Sequence, residues 1–82
     1  MLTLLACRID RSQMLLVNTR LDGYPAYFHI EPVALADYLG VDSIPDLPAC
    51  LSENWPTLAP LLAKLVRRYG NDFTVTSTML KP

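Results

Sequence analysis

The single histidine of this 82-residue chain, His29, is the residue best suited to acid–base chemistry. If His29 lies on a strand, Tyr27 and Glu31 share its face, because strand side chains alternate. Glu31 could then orient His29 as a general base, and Cys7 or a serine would be the nucleophile. The sequence does not place a nucleophile beside His29, and one histidine would have to perform every role. We therefore predict a half-exposed structural histidine and no enzymatic activity.

The two cysteines, Cys7 and Cys50, lack the spacing of a redox or metal motif. With a single histidine they do not supply the four ligands of a structural zinc site. Buried, reduced thiols are predicted, although one bridge between Cys7 and Cys50 stays open. The three glycines suit turns and helix ends rather than a phosphate-binding loop. We expect no metal and no cofactor.

Carboxylates concentrate in the middle of the chain. The 43 residues from Leu21 to Ala63 contain no Lys or Arg and sum to a charge of −6, whereas the two ends sum to +5. Pairing of Asp42 with Asp46, or with Asp37, could suggest a two-carboxylate site, but the nearby prolines favour loop and cap roles. The candidate partner-binding residues are Asp37, Asp42, Asp46 and Glu53. They predict a partner protein with a basic surface.

Cations and aromatic residues elsewhere raise nucleic-acid binding as an alternative. The cations are Lys64, Arg67 and Arg68 on the main helix, with Arg8, Arg11 and Arg20 able to join them in space. The aromatic residues that could stack on bases are Tyr24, Tyr27 and Phe28. A net charge of −1 argues against this reading, because nucleic-acid-binding domains are usually basic. Nucleic acid is therefore not the preferred partner.

The element expected to organise the fold is a helix within Trp55–Tyr69. Apolar residues recur there at helical spacing: Trp55, Leu58, Leu61, Leu62, Leu65, Val66 and Tyr69. Pro60 favours a start near Leu58, after a looser turn, and Gly70 suits the helix end. Trp55 and Leu62 are predicted to be core residues.

The remaining elements are short. Strands are predicted at Leu2–Ile9, Met14–Arg20, Tyr24–Ile30 and Asp72–Leu80, where the last alternates Phe73, Val75, Ser77 and Met79 with threonines. Asp22 and Gly23 predict a hairpin turn. Pro32 is expected to open a helix that ends at Gly40, and Leu47–Leu51 to form a single helical turn.

These elements predict a single α+β domain over residues 1–82. Its order is β-β-β-α-α-β, with three to four antiparallel strands and two helices on one face. A hydrophobic content of 51% is high for so small a chain, and it predicts a homodimer. Its contacts are expected at the edge strand near Tyr24 or the outer side of Asp72–Leu80. The apolar run Met1–Cys7 lacks the basic start of a signal peptide, so a cytoplasmic location is expected.

Together these features predict a non-enzymatic protein–protein interaction module, an inhibitor or modulator that binds a basic surface of a partner. In size, acidity and lack of catalytic motifs the chain resembles the small inhibitors encoded by phages and plasmids, anti-CRISPR proteins among them. It also resembles short bacterial α+β proteins of unknown role. Both resemblances are of general character and imply no site residues. A nucleic-acid-binding accessory protein is the remaining alternative.

Overall fold

Three consecutive antiparallel strands form most of the sheet. The computed structural model describes residues 1–81, and these strands are β1 (Leu2–Ile9), β2 (Leu15–Leu21) and β3 (Tyr24–Ile30). β2 pairs with β1 on one side and with β3 on the other. Asp22 and Gly23 form the turn between β2 and β3 with φ values of 50° and 90°, the positive values that a type I′ turn requires. The predicted hairpin is therefore confirmed.

The C-terminal segment differs from its prediction. Strand β4 (Thr74–Val75) has only two residues and pairs parallel to β3, so the sheet is mixed and ordered β1-β2-β3-β4. Helix α4 (Ser77–Leu80) follows it, and the strand predicted over Asp72–Leu80 is wrong beyond β4. Alternating threonines favour a strand locally. The N–H of Thr76 instead donates to the Met79 sulfur at 3.4 Å, and the turn of helix buries its last residue in the core.

Three further helices separate β3 from β4. They are α1 (Pro32–Leu39), α2 (Leu47–Glu53) and α3 (Trp55–Tyr69), so the order is β-β-β-α-α-α-β-α. The α+β class is confirmed, whereas the order β-β-β-α-α-β, the fully antiparallel sheet and the count of two helices are wrong. α2 exceeds the single predicted turn, and its first turn is capped where Asp46 Oδ1 accepts from the N–H of Ala49 at 3.1 Å.

Helix α3 begins at Trp55, earlier than the predicted start near Leu58. The carbonyl of Asn54 accepts the N–H of Leu58 at 3.1 Å, which starts the helix before Pro60. Pro60 therefore lies inside α3 and has no N–H to donate to the carbonyl of Pro56. Both prolines are exposed, where water can satisfy the carbonyl that lacks its helical donor.

One face of the sheet and the helices enclose a single core. Its largest fully buried side chains are Leu15, Val17, Phe28, Ile30, Leu35, Leu51, Leu58, Leu62 and Val75. The prediction for Leu62 is confirmed. Trp55 is only partly buried at the margin of the core, where its indole N–H donates to the Leu2 carbonyl at 3.2 Å. The other face of the sheet, termed the outer face, carries mostly exposed side chains.

Candidate functional site

His29 lies on the outer face of the sheet and contacts Asp10 rather than Glu31. Its Nε2 is 3.0 Å from Asp10 Oδ2. Cys7 lies on the core side of β1, where its thiol donates to the carbonyl of Pro48 at 3.7 Å. The catalytic arrangement considered from the sequence, in which Glu31 orients His29 toward Cys7, does not form within residues 1–81.

Asp10 organises the turn between β1 and β2. Its Oδ1 accepts hydrogen bonds from the Ser12 N–H at 2.9 Å, the Ser12 hydroxyl at 2.8 Å and the Met14 N–H at 3.0 Å. The hydrogen bond from the Ser12 hydroxyl is the largest cause that lowers the pKa of Asp10, and the charge of His29 contributes least. Because the Ser12 hydroxyl donates to Asp10, it does not donate to the imidazole as a nucleophilic serine would.

We expect Asp10 to make the fold sensitive to acid. Its folded pKa lies below the ordinary value of 3.8, so its contribution is complete above that value and is lost as the pH falls through the folded pKa. The free energy of unfolding of Asp10→Asn should therefore fall less than that of the native protein between pH about 4 and pH about 2. Urea denaturation at each pH measures the difference. Asp72→Asn is the control, and equal slopes for both variants would contradict the expectation.

The two cysteines are free thiols, so the bridge that the sequence left open does not form. Burial raises the pKa of Cys7, and the charge of Asp46 adds to this, so the thiol stays protonated at neutral pH and is a weak nucleophile. The sulfur of Cys50 accepts a hydrogen bond from the Asn54 side-chain amide at 3.6 Å. Among the described residues, no group of three His, Cys, Asp or Glu side chains is placed to hold a metal ion.

The residues considered for nucleic-acid binding fall into separate groups. Phe28 is fully buried and stacks on Phe73, with ring centroids 5.2 Å apart. The outer face of the sheet carries Arg8, Arg20 and Tyr27, whereas α3 carries Lys64, Arg67 and Arg68. Because Phe28 is in the core, residues 1–81 do not form the three-aromatic platform that the sequence suggested.

The four acidic candidates are all exposed but have different neighbours. Asp37 on α1 accepts the Ser77 hydroxyl at 2.8 Å and so links α1 to α4. Asp46 is the N-cap residue of α2. Asp42 lies in the connection between α1 and α2, and Glu53 is the last residue of α2. Asp37 and Asp46 therefore have structural roles in addition to their charge.

A cavity of about 350 Å³ is lined by both Asp46 and Glu53 and is termed the acidic cavity. It lies between the end of α1 and α2. Its apolar lining residues are Leu39, Val41, Ile44, Pro45, Ala49 and Cys50. No Lys or Arg of the described chain lines it. Sequence reasoning identified both carboxylates and missed the apolar lining, although Val41 and Ile44 stand close to them in the sequence.

A groove runs along β1, and sequence reasoning did not predict it. Three adjoining cavities of about 540, 340 and 640 Å³ form it and are together termed the β1 groove. The first lies between residues 4–7 of β1 and α2, and the last lies between Leu2 and the exposed side of α3 around Trp55. Its charged lining residues are Asp46 in the first cavity and Lys64 and Arg67 in the last. The apolar run at the start of the chain is the signal that could have revealed it.

No protein-family model, no curated protein and no solved structure matches the chain. Within residues 1–81, every helix is too short or too polar to cross a membrane.

Proposed function

We propose that this protein is a non-enzymatic interaction module that binds a basic surface of a partner protein, as an inhibitor or modulator. The acidic cavity carries the proposal, because it combines the carboxylates of Asp46 and Glu53 with an apolar lining. A lysine or arginine side chain has the complementary composition, with an aliphatic stem and a cationic head. The lining would receive the stem, and one of the two carboxylates would bind the head, because Asp46 and Glu53 stand at opposite ends of α2.

The charge around the acidic cavity supports the same kind of partner. Asp42 is exposed in the connection that leads to α2 and adds a third carboxylate to this region. The chain contains no Lys or Arg from Leu21 to Ala63 that could neutralise these carboxylates locally. A concentration of one sign of charge accelerates the encounter with an oppositely charged surface.

The four acidic candidates differ in how available their carboxylates are to a partner. Asp46 Oδ1 caps α2, which leaves Oδ2 for a partner. Glu53 and Asp42 are exposed, and within residues 1–81 their side chains make no hydrogen bond or ion pair, so they act through their charge. Asp37 is bonded to Ser77, and we assign it mainly to the contact between α1 and α4. The partner-binding residues of the proposal are therefore Asp42, Asp46 and Glu53.

The proposal keeps the cytoplasmic location expected from the sequence. An inhibitor encoded by a phage or plasmid, of the anti-CRISPR kind, is one form that such a module could take. Nucleic acid is a weaker alternative, because the net charge is −1 and Phe28 is buried away from any ligand.

The charge of the acidic cavity can be removed by Asp46→Asn combined with Glu53→Gln, since Asn retains the ability to cap a helix. The probes are a lysine-rich peptide and any host protein that the immobilised native chain retains. We expect association at low salt to slow about tenfold, because charge complementarity acts mainly on the association rate. Stopped-flow fluorescence or surface plasmon resonance measures that rate, and thermal unfolding should stay unchanged.

The matched control for this experiment is Asp72→Asn combined with Glu31→Gln, which removes the same charge outside the acidic cavity. If the control slows association as much, net charge is responsible and the cavity is not the site. An unchanged rate for Asp46→Asn with Glu53→Gln would also contradict the proposal. The molecular mass of every variant is measured alongside, because the sequence also predicts a homodimer and a change of assembly would itself alter the association rate.

A further inference from the structure

The largest cavity of the β1 groove lies between the start of β1 and the exposed side of α3, and it is termed the Trp55 cavity. It has a volume of about 640 Å³, which falls within the range of about 300–1,000 Å³ that small-molecule sites occupy. Lys64 and Arg67 line it, whereas no carboxylate of the described residues does. It shares no lining residue with the acidic cavity. Its apolar lining residues are Met1, Leu2, Trp55, Pro56, Ala59, Pro60 and Ala63.

Short side chains and a fixed indole give the Trp55 cavity its shape. The side of α3 that lines it carries only alanine and proline over two turns, at Pro56, Ala59, Pro60 and Ala63. No long side chain of this stripe can fold over the start of β1. The indole N–H of Trp55 donates to the Leu2 carbonyl at 3.2 Å, which fixes the ring as a wall between α3 and β1. The cavity is therefore formed before a ligand arrives, and a preformed site lowers the entropic cost of binding.

The two cations lie at one end of the Trp55 cavity. An α-helix rises about 1.5 Å per residue, so Lys64 and Arg67 stand roughly 13–18 Å along α3 from Trp55. Lys64 makes no ion pair within residues 1–81. Arg67 is 3.7 Å from Asp22, and Asp22 also binds the Met1 amino group, so this carboxylate is shared by two cations. A positive charge therefore remains at this end, whereas the end beside Trp55 is apolar.

This change from apolar to cationic along the Trp55 cavity indicates an elongated ligand with an apolar body and one anionic head. A carboxylate at the cationic end would accept charge-assisted hydrogen bonds from Lys64 and Arg67. A hydrocarbon chain attached to it would leave water along the alanine and proline stripe and against the indole of Trp55. A cationic ligand is disfavoured, because the two lysine and arginine charges would repel it and no carboxylate lines the cavity.

A peptide fits the Trp55 cavity less well than a hydrocarbon chain does. The Met1 carbonyl accepts the N–H of Asp22 at 3.4 Å, and the Leu2 carbonyl accepts the indole of Trp55. The backbone of α3 is largely engaged in its own helical hydrogen bonds. A peptide would therefore bury N–H and C=O groups with few partners, which costs free energy that a hydrocarbon chain does not lose.

From this cavity and its charges, we propose that the protein binds a free medium-chain fatty acid in the Trp55 cavity. The carboxylate of the ligand binds Lys64 and Arg67. Its chain lies along the alanine and proline stripe of α3 and ends against the indole of Trp55. This inference goes beyond the proposed function. Because the Trp55 cavity and the acidic cavity share no lining residue, either proposal can fail while the other holds.

The probe is decanoate, kept below the concentration at which it forms micelles and titrated into the full chain. Trp55 is the only tryptophan of the sequence, so covering its indole should move the fluorescence emission to shorter wavelength until the site is saturated. Lys64→Glu should raise the dissociation constant at least about tenfold, because it replaces an attracting charge by a repelling one. Arg68→Glu is the matched control. Arg68 lies on the same helix over the ring of Tyr69, outside the cavity, and its replacement should leave the dissociation constant unchanged.

Two further comparisons test the apolar body and the charge of the ligand separately. Ala59→Leu fills part of the Trp55 cavity without changing its charge and should also weaken binding of decanoate. Decanol, which has the same chain without the charge, should bind the native protein at least about tenfold more weakly than decanoate. Asp46→Asn combined with Glu53→Gln should leave the affinity for decanoate unchanged, since both carboxylates lie outside this cavity. Thermal unfolding of each variant confirms that it is folded, and isothermal titration calorimetry gives a second measure of binding.

Absence of a saturable fluorescence shift and of a binding heat with the native protein would overturn the proposal. Equal affinities for decanoate and decanol would overturn it too, because the cations would then have no role. So would an affinity that neither Lys64→Glu nor Ala59→Leu changes, since decanoate would then bind elsewhere. If a peptide with apolar residues and a terminal carboxylate displaces decanoate and binds more tightly, the occupant is a protein segment and the proposal is wrong.

Discussion

Phe28→Ala should lower the free energy of unfolding by about 3–5 kcal/mol. Phe28 is fully buried in the central part of the sheet, where its ring stacks on Phe73 at 5.2 Å with an interplanar angle of 17°. Truncation leaves a cavity beneath the helices, and loss of the ring pair adds about 0.5–1.5 kcal/mol. Native proteins have a total stability of about 5–15 kcal/mol, so a loss of this size removes a large share of the stability and should lower the urea midpoint strongly.

Urea denaturation followed by circular dichroism measures the effect of Phe28→Ala. Tyr27→Ala is the matched control, because the neighbouring ring lies on the outer face of the same strand and is 43% exposed. Phe28→Leu should cost less than Phe28→Ala, since it fills most of the volume. A loss for Phe28→Ala no larger than that for Tyr27→Ala would contradict the assignment of Phe28 to the core.

Leu62→Ala should lower the free energy of unfolding by about 2–5 kcal/mol. Leu62 lies on α3 and is fully buried with Leu58 on the same side of the helix. Alanine has a high helix propensity, so the loss measures packing rather than the helix itself. The same denaturation experiment applies. Leu61→Ala is the control, since the adjacent leucine is only partly buried and should cost less.

A loss below about 0.5 kcal/mol for Leu62→Ala would place it among ordinary surface substitutions. In that case the apolar stripe of α3 would not be the face that packs on the sheet. Leu61→Ala should then cost as much as Leu62→Ala. The ratio of the two values therefore tests the orientation of α3 independently of the overall stability of the domain.

The local sequence pattern was sufficient to predict most of the secondary-structure elements of this protein. Short apolar runs bounded by turn residues predicted β1 and β2, side chains that share a face predicted β3, and Asp22 with Gly23 predicted the hairpin. Helical spacing predicted the α3 stripe, in which Leu58, Leu62 and Val66 are buried. The prediction failed at the C-terminus because Ser and Thr have local alternatives to the strand. Neither the hydrophobic period of the segment nor the strand propensity of its residues could show that the core has room for the buried side chain of Leu80.

For the acidic cavity too, the sequence determined one property and the tertiary structure another. The sequence determined the charge of the acidic region, since Asp46 and Glu53 stand in a stretch without Lys or Arg. Only the packing of α2 against the end of α1 decided that these two carboxylates share a cavity with Val41 and Ile44. Asp42 has similar local character but does not line that cavity. Which residues line the cavity depends on contacts between elements, which local pattern does not contain.

The strand order was a property of the tertiary structure alone. The sequence by itself determined that β1 is apolar and suited to a strand, and it did not reveal which strands are its neighbours. β4 inserts beside β3 after three helices, which makes β3 interior and leaves β1 as the long free edge. The contact between Asp10 and His29 also depends on the strand order, because β2 pairs with both β1 and β3 and so brings the two residues close together. Periodicity acts within a segment, whereas edges, grooves and side-chain pairs arise between segments brought together by burial of a common core.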